Sequence, residues 1–188
     1  MSPQQITDQL FKLYELHGDD DYIGEPVSQL EHMAQAAALA MAEGYDDEVV
    51  LAAFFHDLGH LVDSDQVTSM NGFGNADHEE LGANYLLQAG FSPRVAALVK
   101  SHVMAKRYLT FSNPEYYNKL SPASKATLEF QGGMMSAEEA EAFEANPDKD
   151  LIIRFRYWDD EAKLTDIPVT IIPQLKQMAV NHLTSRLA

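Results

Sequence analysis

The feature that most constrains this chain is the pair His56-Asp57 inside LAAFFHDLGHLV. From Val49 to Val62 the sequence is almost wholly apolar apart from His56, Asp57 and His60. A helix that is apolar all round is buried. A buried imidazole and carboxylate are costly unless something satisfies them, and a metal ion does so directly. The rest of the chain supplies matching groups: His32 lies 24 residues before His56, His78 lies 22 after it, and His102 a further 24 on. Each falls in a segment with helical patterning.

The remaining punctuation is helical too. Ser2-Pro3 opens a first helix that stops at Gly18. Gly18 to Pro26 is a polar, acidic loop. A second helix covers about Val27 to Glu43. Asp46 or Asp47 caps the third, buried one, which carries His56 and Asp57. A loop follows that holds Asn71-Gly72-Phe73-Gly74-Asn75. A fourth helix runs from about Asp77 to Ala89, and Ser92-Pro93 starts a fifth carrying His102 and Lys106. Ser121-Pro122 starts a short helix, and Ser136 with Glu139 forms a capping box for the next. A helix near Asp150 to Lys163 carries Arg156 and Asp159, and the last follows Pro173. No strand or hairpin pattern is present. The expected fold is all-α, with seven to nine helices in a single domain spanning residues 1–188.

Composition narrows the function. The net charge is −16, which argues against nucleic acid as a partner. No stretch approaches the ~20 apolar residues that span a bilayer. The N-terminal MSPQQITDQL has no signal-peptide character, so a cytoplasmic place and no membrane partner are expected. With no cysteine, disulfides and thiolate metal sites are excluded. Imidazole and carboxylate ligands remain, and these suit iron, manganese, zinc and other divalent metals.

His32, His56, Asp57 and Asp159 make one metal site on this reading. His78 and His102, with Asp57 as a bridge, make a second. Adjacent helical positions point about 100° apart, so His56 and Asp57 must straddle the metal. His60, one turn beyond His56 and three residues beyond Asp57, could be a metal ligand, a group that supports a ligand or a substrate contact, and the contact is preferred. His17 and His182 lie near helix ends among polar residues and are set aside. Lys106 is one turn after His102, and Arg156 is three residues before Asp159, so each shares a face with a metal ligand. An ammonium and a guanidinium beside a dimetal site suit a dianionic ligand.

His32, His56-Asp57 and Asp159 resemble the H…HD…D signature of the HD-domain superfamily, and His78 and His102 the added histidines of its dimetal branch. DYIGEPVSQLEH, VLAAFFHDLGH, HEELGANYL, HVMAKRYL, LSPASKATLEFQGG and RYWDD, in this order, resemble the bacterial HD-domain phosphonate oxygenases. The resemblance implies an HD-domain helical bundle holding a mixed-valent Fe(II)/Fe(III) pair, with O₂ as co-substrate. It implies cleavage of the C–P bond of a 1-hydroxy-2-amino- or 1-hydroxy-2-(trimethylammonio)ethylphosphonate. The products are then glycine or glycine betaine and inorganic phosphate, a reaction of phosphonate catabolism.

By the same resemblance, His32, His56, Asp57 and Asp159 hold the first iron, and Asp57, His78 and His102 the second. Tyr22 guards the second iron's open position, and Glu25 faces the cationic end of the substrate. Lys106, Arg156, His60, Ser124, Thr127 and Gln131 surround the phosphonate. Tyr22, His60 and Lys106 are the expected catalytic groups. Tyr22, Phe54, Phe73 and Tyr157 are candidates for an aromatic cage around a quaternary ammonium. The partner is a small organophosphonate, and the protein is a monomer or a weak homo-oligomer. The competing readings are an HD-type dimetal phosphohydrolase acting on a phosphomonoester and a metal-binding sensor or scaffold.

Overall fold

A computed structural model describes residues 1–22, 24–62 and 77–187. Among these there are ten α-helices and one 3₁₀ turn, and no strand. The helices are α1 (Pro3–His17), α2 (Gln29–Ala42), α3 (Asp47–Phe55), α4 (His78–Gln88), α5 (Pro93–Ser112), α6 (Pro114–Lys119), α7 (Pro122–Phe130), α8 (Ala137–Glu144), α9 (Lys149–Glu161) and α10 (Ile172–Leu187). None is long and apolar enough to cross a membrane. The fold is all-α, as expected. The expected count of seven to nine is low: the short α6 rests on Asn113, whose side chain accepts from the Glu115 and Tyr116 amides ahead of Pro114. The Asn71–Asn75 loop and Phe73 lie outside the described residues.

The starts of these helices follow from their capping residues. Ser2, Ser28 and Ser136 each accept from the third helical amide, and Gln5, Glu31 and Glu139 reach back to the cap's own N–H. These capping boxes satisfy donors that a helix start leaves bare. Asp46, Ser92 and Ser121 cap α3, α5 and α7 in the simpler form.

α3 occupies the middle of the molecule. It packs against α2, α5, α9 and α10, and every side chain from Val49 to Phe55 is buried. Burial of side chains of this kind contributes ~1.5–3 kcal/mol apiece for the larger ones. Phe54 stacks on Phe11 and Tyr14 of α1 with ring centroids 5.4 and 4.6 Å away. Phe54 is therefore a core residue, and it does not line the site.

The helix ends at Phe55, before the two residues that matter most. His56 keeps helical dihedrals, Asp57 departs to φ −101°, ψ 12°, and Leu58–His60 tighten into the 3₁₀ turn. His56 and Asp57 thus do not sit within one continuous helix. Gly59 permits this turn to lie against α4. A Cβ there would come within 2.0 Å of the His78 carbonyl oxygen, so no other residue fits without moving His78. Gly82 of α4 lies on the same contact, its own Cβ position 3.1 Å from the Gly59 nitrogen.

Candidate metal centre

Five elements converge at the end of α3. α2 brings His32, the turn after α3 brings His56 and Asp57, α4 begins with His78, α5 brings His102, and α9 brings Asp159. All six side chains are almost completely buried.

The hydrogen bonds at the back of each ring decide what its front can do. His32 Nδ1 lies 2.9 Å from the Ala162 carbonyl, and His56 Nδ1 lies 2.8 Å from that of Ala53. A carbonyl only accepts, so both Nδ1 atoms carry the proton, and both Nε2 atoms present a lone pair. Those two lone pairs face each other at 3.0 Å. A proton or a metal ion between them makes that contact favourable. His102 repeats the arrangement: its Nδ1 is 2.7 Å from the Val99 carbonyl, and its Nε2 is 3.0 Å from His78 Nε2.

Asp57 ties the two pairs together. Its Oδ2 lies 3.5 and 3.4 Å from the Nε2 atoms of His32 and His56, and its Oδ1 lies 3.3 and 3.4 Å from those of His78 and His102. Asp159 closes the first group, with Oδ1 3.4 Å from His32 Nε2. That oxygen is buried and has no hydrogen-bond partner. Two ligands ~2.1 Å from a metal and at right angles are ~3 Å apart. Facing lone pairs, an orphaned carboxylate oxygen and a carboxylate with one oxygen toward each pair therefore fit two metal ions sharing Asp57.

Electrostatics point the same way. Burial pulls His56 down, but the Asp57 charge beside it prevails and holds it up at about 9, so positive charge is favoured at this point of the cluster. Burial pushes the Asp57 and Asp159 carboxyls up. The imidazoles around Asp57 and Arg156 beside Asp159 outweigh it and hold both well below the carboxylate range.

A cavity of about 210 Å³ opens over this cluster. Asp57, His78, His102 and Asp159 form part of its floor, and Tyr22, Glu25, His60, Lys106, Ser124, Thr127 and Gln131 line it. His60 stacks on His78 at 4.1 Å between centroids. Burial and the neighbouring imidazoles pull its pKa to about 3, which keeps it neutral. Lys106 donates to Thr127 Oγ1 at 2.7 Å and to Gln131 Oε1 at 2.8 Å. Burial, with the Arg156 charge adding to it, brings Lys106 down to about 7. Tyr22 stacks on His32, 4.0 Å between centroids and 12° between planes. Its ring thus lies beside His32, and it lines the cavity together with Asp57, His78 and His102.

Two expectations, on Arg156 and Tyr157, need correction. Arg156 does not line the cavity. Its Nη1 donates to Asp159 Oδ2 at 2.6 Å, its Nη2 to Asp160, and its Nε to the Tyr116 hydroxyl at 3.0 Å. It stands behind Asp159, offsets that buried charge, and leaves Oδ1 aimed at His32. Glu25 lines the cavity but is already paired: Lys163 Nζ and Ser121 Oγ donate to its Oε1 at 2.7 and 2.6 Å. Tyr157 packs its ring 6.2 Å from that of Tyr116, away from the cavity. Among the described residues Tyr22 alone of the cage candidates faces the site.

His17 and His182 stay outside the cluster. His17 is 3.5 Å from Asp20 near the surface, and His182 accepts the Ser92 amide at 3.1 Å. The sequence reading omits Asp160 and Lys163. The spacing of Arg156 and Asp160, four apart on one helix, is a signal for the first. Lys163 carries none, because its partner is 138 residues away.

A helical domain that aims histidines and aspartates from consecutive helices at one buried centre defines a class of metal-dependent proteins. The HD domain model matches residues 30–145, and the chain belongs to the HD-domain family. It is 40% identical over 176 residues to the [1-hydroxy-2-(trimethylamino)ethyl]phosphonate dioxygenase (glycine-betaine-forming) of Leisingera caerulea, covering 91% of this chain and 89% of that one. It is 39% identical over 170 residues to the hydroxymethylphosphonate dioxygenase of Gimesia maris, covering 89% and 83%. An uncharacterised protein of Acanthamoeba polyphaga mimivirus is 38% identical over 181 residues, covering 96% and 83%. The resemblance to the HD-domain phosphonate oxygenases thus holds over nearly the whole chain.

Proposed function

We propose that this protein is an O₂-dependent, diiron dioxygenase that cleaves the C–P bond of a 1-hydroxyphosphonate. The substrates proposed are 1-hydroxy-2-(trimethylammonio)- and 1-hydroxy-2-aminoethylphosphonate, giving glycine betaine or glycine and inorganic phosphate. The observation that carries the reading is the Asp57-bridged pair of imidazole clusters at the floor of a cavity whose wall bears Lys106. The names of two relatives supply the reaction class.

Two iron ions held by His32, His56, Asp57 and Asp159, and by Asp57, His78 and His102, would supply Lewis acidity and O₂ activation. The chain's own groups do the rest. Lys106, Ser124, Thr127 and Gln131 offer an ammonium, hydroxyls and an amide to the phosphonate oxygens. A dianion there draws a proton onto Lys106, whose pKa of about 7 leaves it poised between forms. Neutral His60, held by its stack on His78, lines the cavity beside the ligands and would contact the substrate there. Tyr22 covers the His32 side and limits water access. The reaction balances without an external reductant: C1 loses its bonds to hydrogen and phosphorus, and both O₂ oxygens enter the products.

The test is to load the protein with iron without oxygen, add each hydroxyphosphonate, then admit O₂ and follow phosphate. Phosphate released in step with O₂ uptake is the expected result. Equal release without O₂, or release from a phosphomonoester, establishes a hydrolase instead.

A further inference from the structure

The charge of Glu25 is already spent. Its Oε1 receives Lys163 Nζ at 2.7 Å and Ser121 Oγ at 2.6 Å. The pair is largely enclosed, with side chains only 17% and 10% exposed for Lys163 and Glu25. This is no wandering surface lysine. The Ala162 carbonyl, one residue before it, takes the His32 Nδ1 proton. On its other side, Gln35 brackets Leu164, donating to its carbonyl at 2.9 Å and accepting its amide at 3.0 Å. The backbone of Lys163 is thus fastened to α2, the helix that supplies His32. Its ammonium also lies 5.9 Å from the centre of the Tyr22 ring, which stacks on His32.

We infer that Lys163 is a specificity-determining positioning residue: paired with Oε1 of the cavity carboxylate Glu25, it offsets that charge, so a ligand's cationic group meets a carboxylate already neutralised. The inference rests on the reading of the cavity as a phosphonate site. A bare, poorly solvated carboxylate would favour an ammonium-bearing ligand strongly over a neutral one. With Lys163 in place, the carboxylate's charge is already offset, and discrimination between the two is small. The lysine therefore widens the range of head groups that the cavity accepts.

The experiment compares binding of 2-aminoethylphosphonate and methylphosphonate, by calorimetry, to the anaerobic iron-loaded protein. Lys163→Met is expected to raise the preference for the amino ligand by about tenfold, the scale of one charge-assisted contact. Lys163→Arg is expected to keep the wild-type ratio, and Glu25→Gln added to Lys163→Met to abolish the gain. In turnover, Lys163→Met is expected to lower KM for the aminated hydroxyphosphonate by more than it changes kcat, with iron content retained. An unmoved ratio, or equal weakening of both ligands, overturns the inference. Failure of wild type to release phosphate with O₂, while the ratio moves as stated, sinks the oxygenase reading and leaves Lys163 its role. A protein that binds neither phosphonate overturns the inference, and phosphate release from the hydroxyphosphonates then decides the oxygenase reading separately.

Discussion

The two oxygens of Asp57 face opposite pairs of imidazoles, so the loss of one side chain removes a ligand from both halves of the cluster. Asp57→Ala is expected to leave the helical circular dichroism in place and to abolish most of the bound metal. His78→Ala is expected to remove only one equivalent, and elemental analysis of the two variants distinguishes a bridge from two independent sites. Lys106 makes a second prediction at this scale. Its pKa is depressed to about 7, so it is charged below that pH and loses its proton as pH rises through it. A dianion prefers the charged form. Phosphonate affinity should therefore fall above pH 7, by at most tenfold per unit. Titration calorimetry across pH 6–9 reads this limb, and Lys106→Met should bind more weakly and lack it.

At the scale of elements, the site depends on where α3 stops. The helix delivers an apolar cylinder to the centre of the molecule, and the 3₁₀ turn then swings Asp57 between two sets of ligands. That turn lies flush on the first residue of α4 because Gly59 has no side chain to hold them apart. Gly59→Ala pushes a methyl group into the His78 backbone. Overpacking of this kind costs ~1–3 kcal/mol, and here the displaced residue is a candidate ligand. The variant is expected to melt lower and to lose the metal shared by His78 and His102 ahead of the other. Arg156 and Asp160 belong to this scale as well. They join α9 to the Tyr116 hydroxyl of α6, and Tyr116 donates to Asp160 Oδ2 at 2.6 Å. The guanidinium so held keeps Asp159 turned toward α2.

For the whole molecule, a metal bound at the candidate centre would clamp α2, the turn after α3, α4, α5 and α9 together. Without a cation the centre is a buried collection of opposed lone pairs and carboxylates, and such a cluster opposes folding. A ligand that binds only the folded form at a thousand times its Kd stabilises by ~4 kcal/mol. For a chain of 188 residues that corresponds to a rise in Tm of roughly 8–16 °C. Differential scanning calorimetry with iron, and again after a chelator, tests this. An unchanged Tm would mean that the cluster is not shared among the helices in this way. The net charge of −16 matters here too: an anionic ligand of the kind proposed would approach against the overall field, with Lys106 at the cavity wall to meet it.

Much of this was legible in the residues alone, and for local reasons. Serines and aspartates ahead of helical runs mark starts because a side chain three residues away satisfies the bare amides. An apolar run broken only by His56, Asp57 and His60 marks a buried cluster because burial without partners is costly. What the tertiary structure decided depends on contacts between residues remote in sequence. Arg156 shares a face with Asp159, but only the placing of Asp160 and Tyr116 turns it behind the site. Glu25 reads as a free carboxylate until the chain brings Lys163 to it from 138 residues away. The end of α3 at Phe55 is likewise set by the close approach of α4 to Gly59, since the dihedrals of His56 alone would have let the helix run on. Local patterns encode which groups must be buried; which way each one faces is settled by the neighbours that packing supplies.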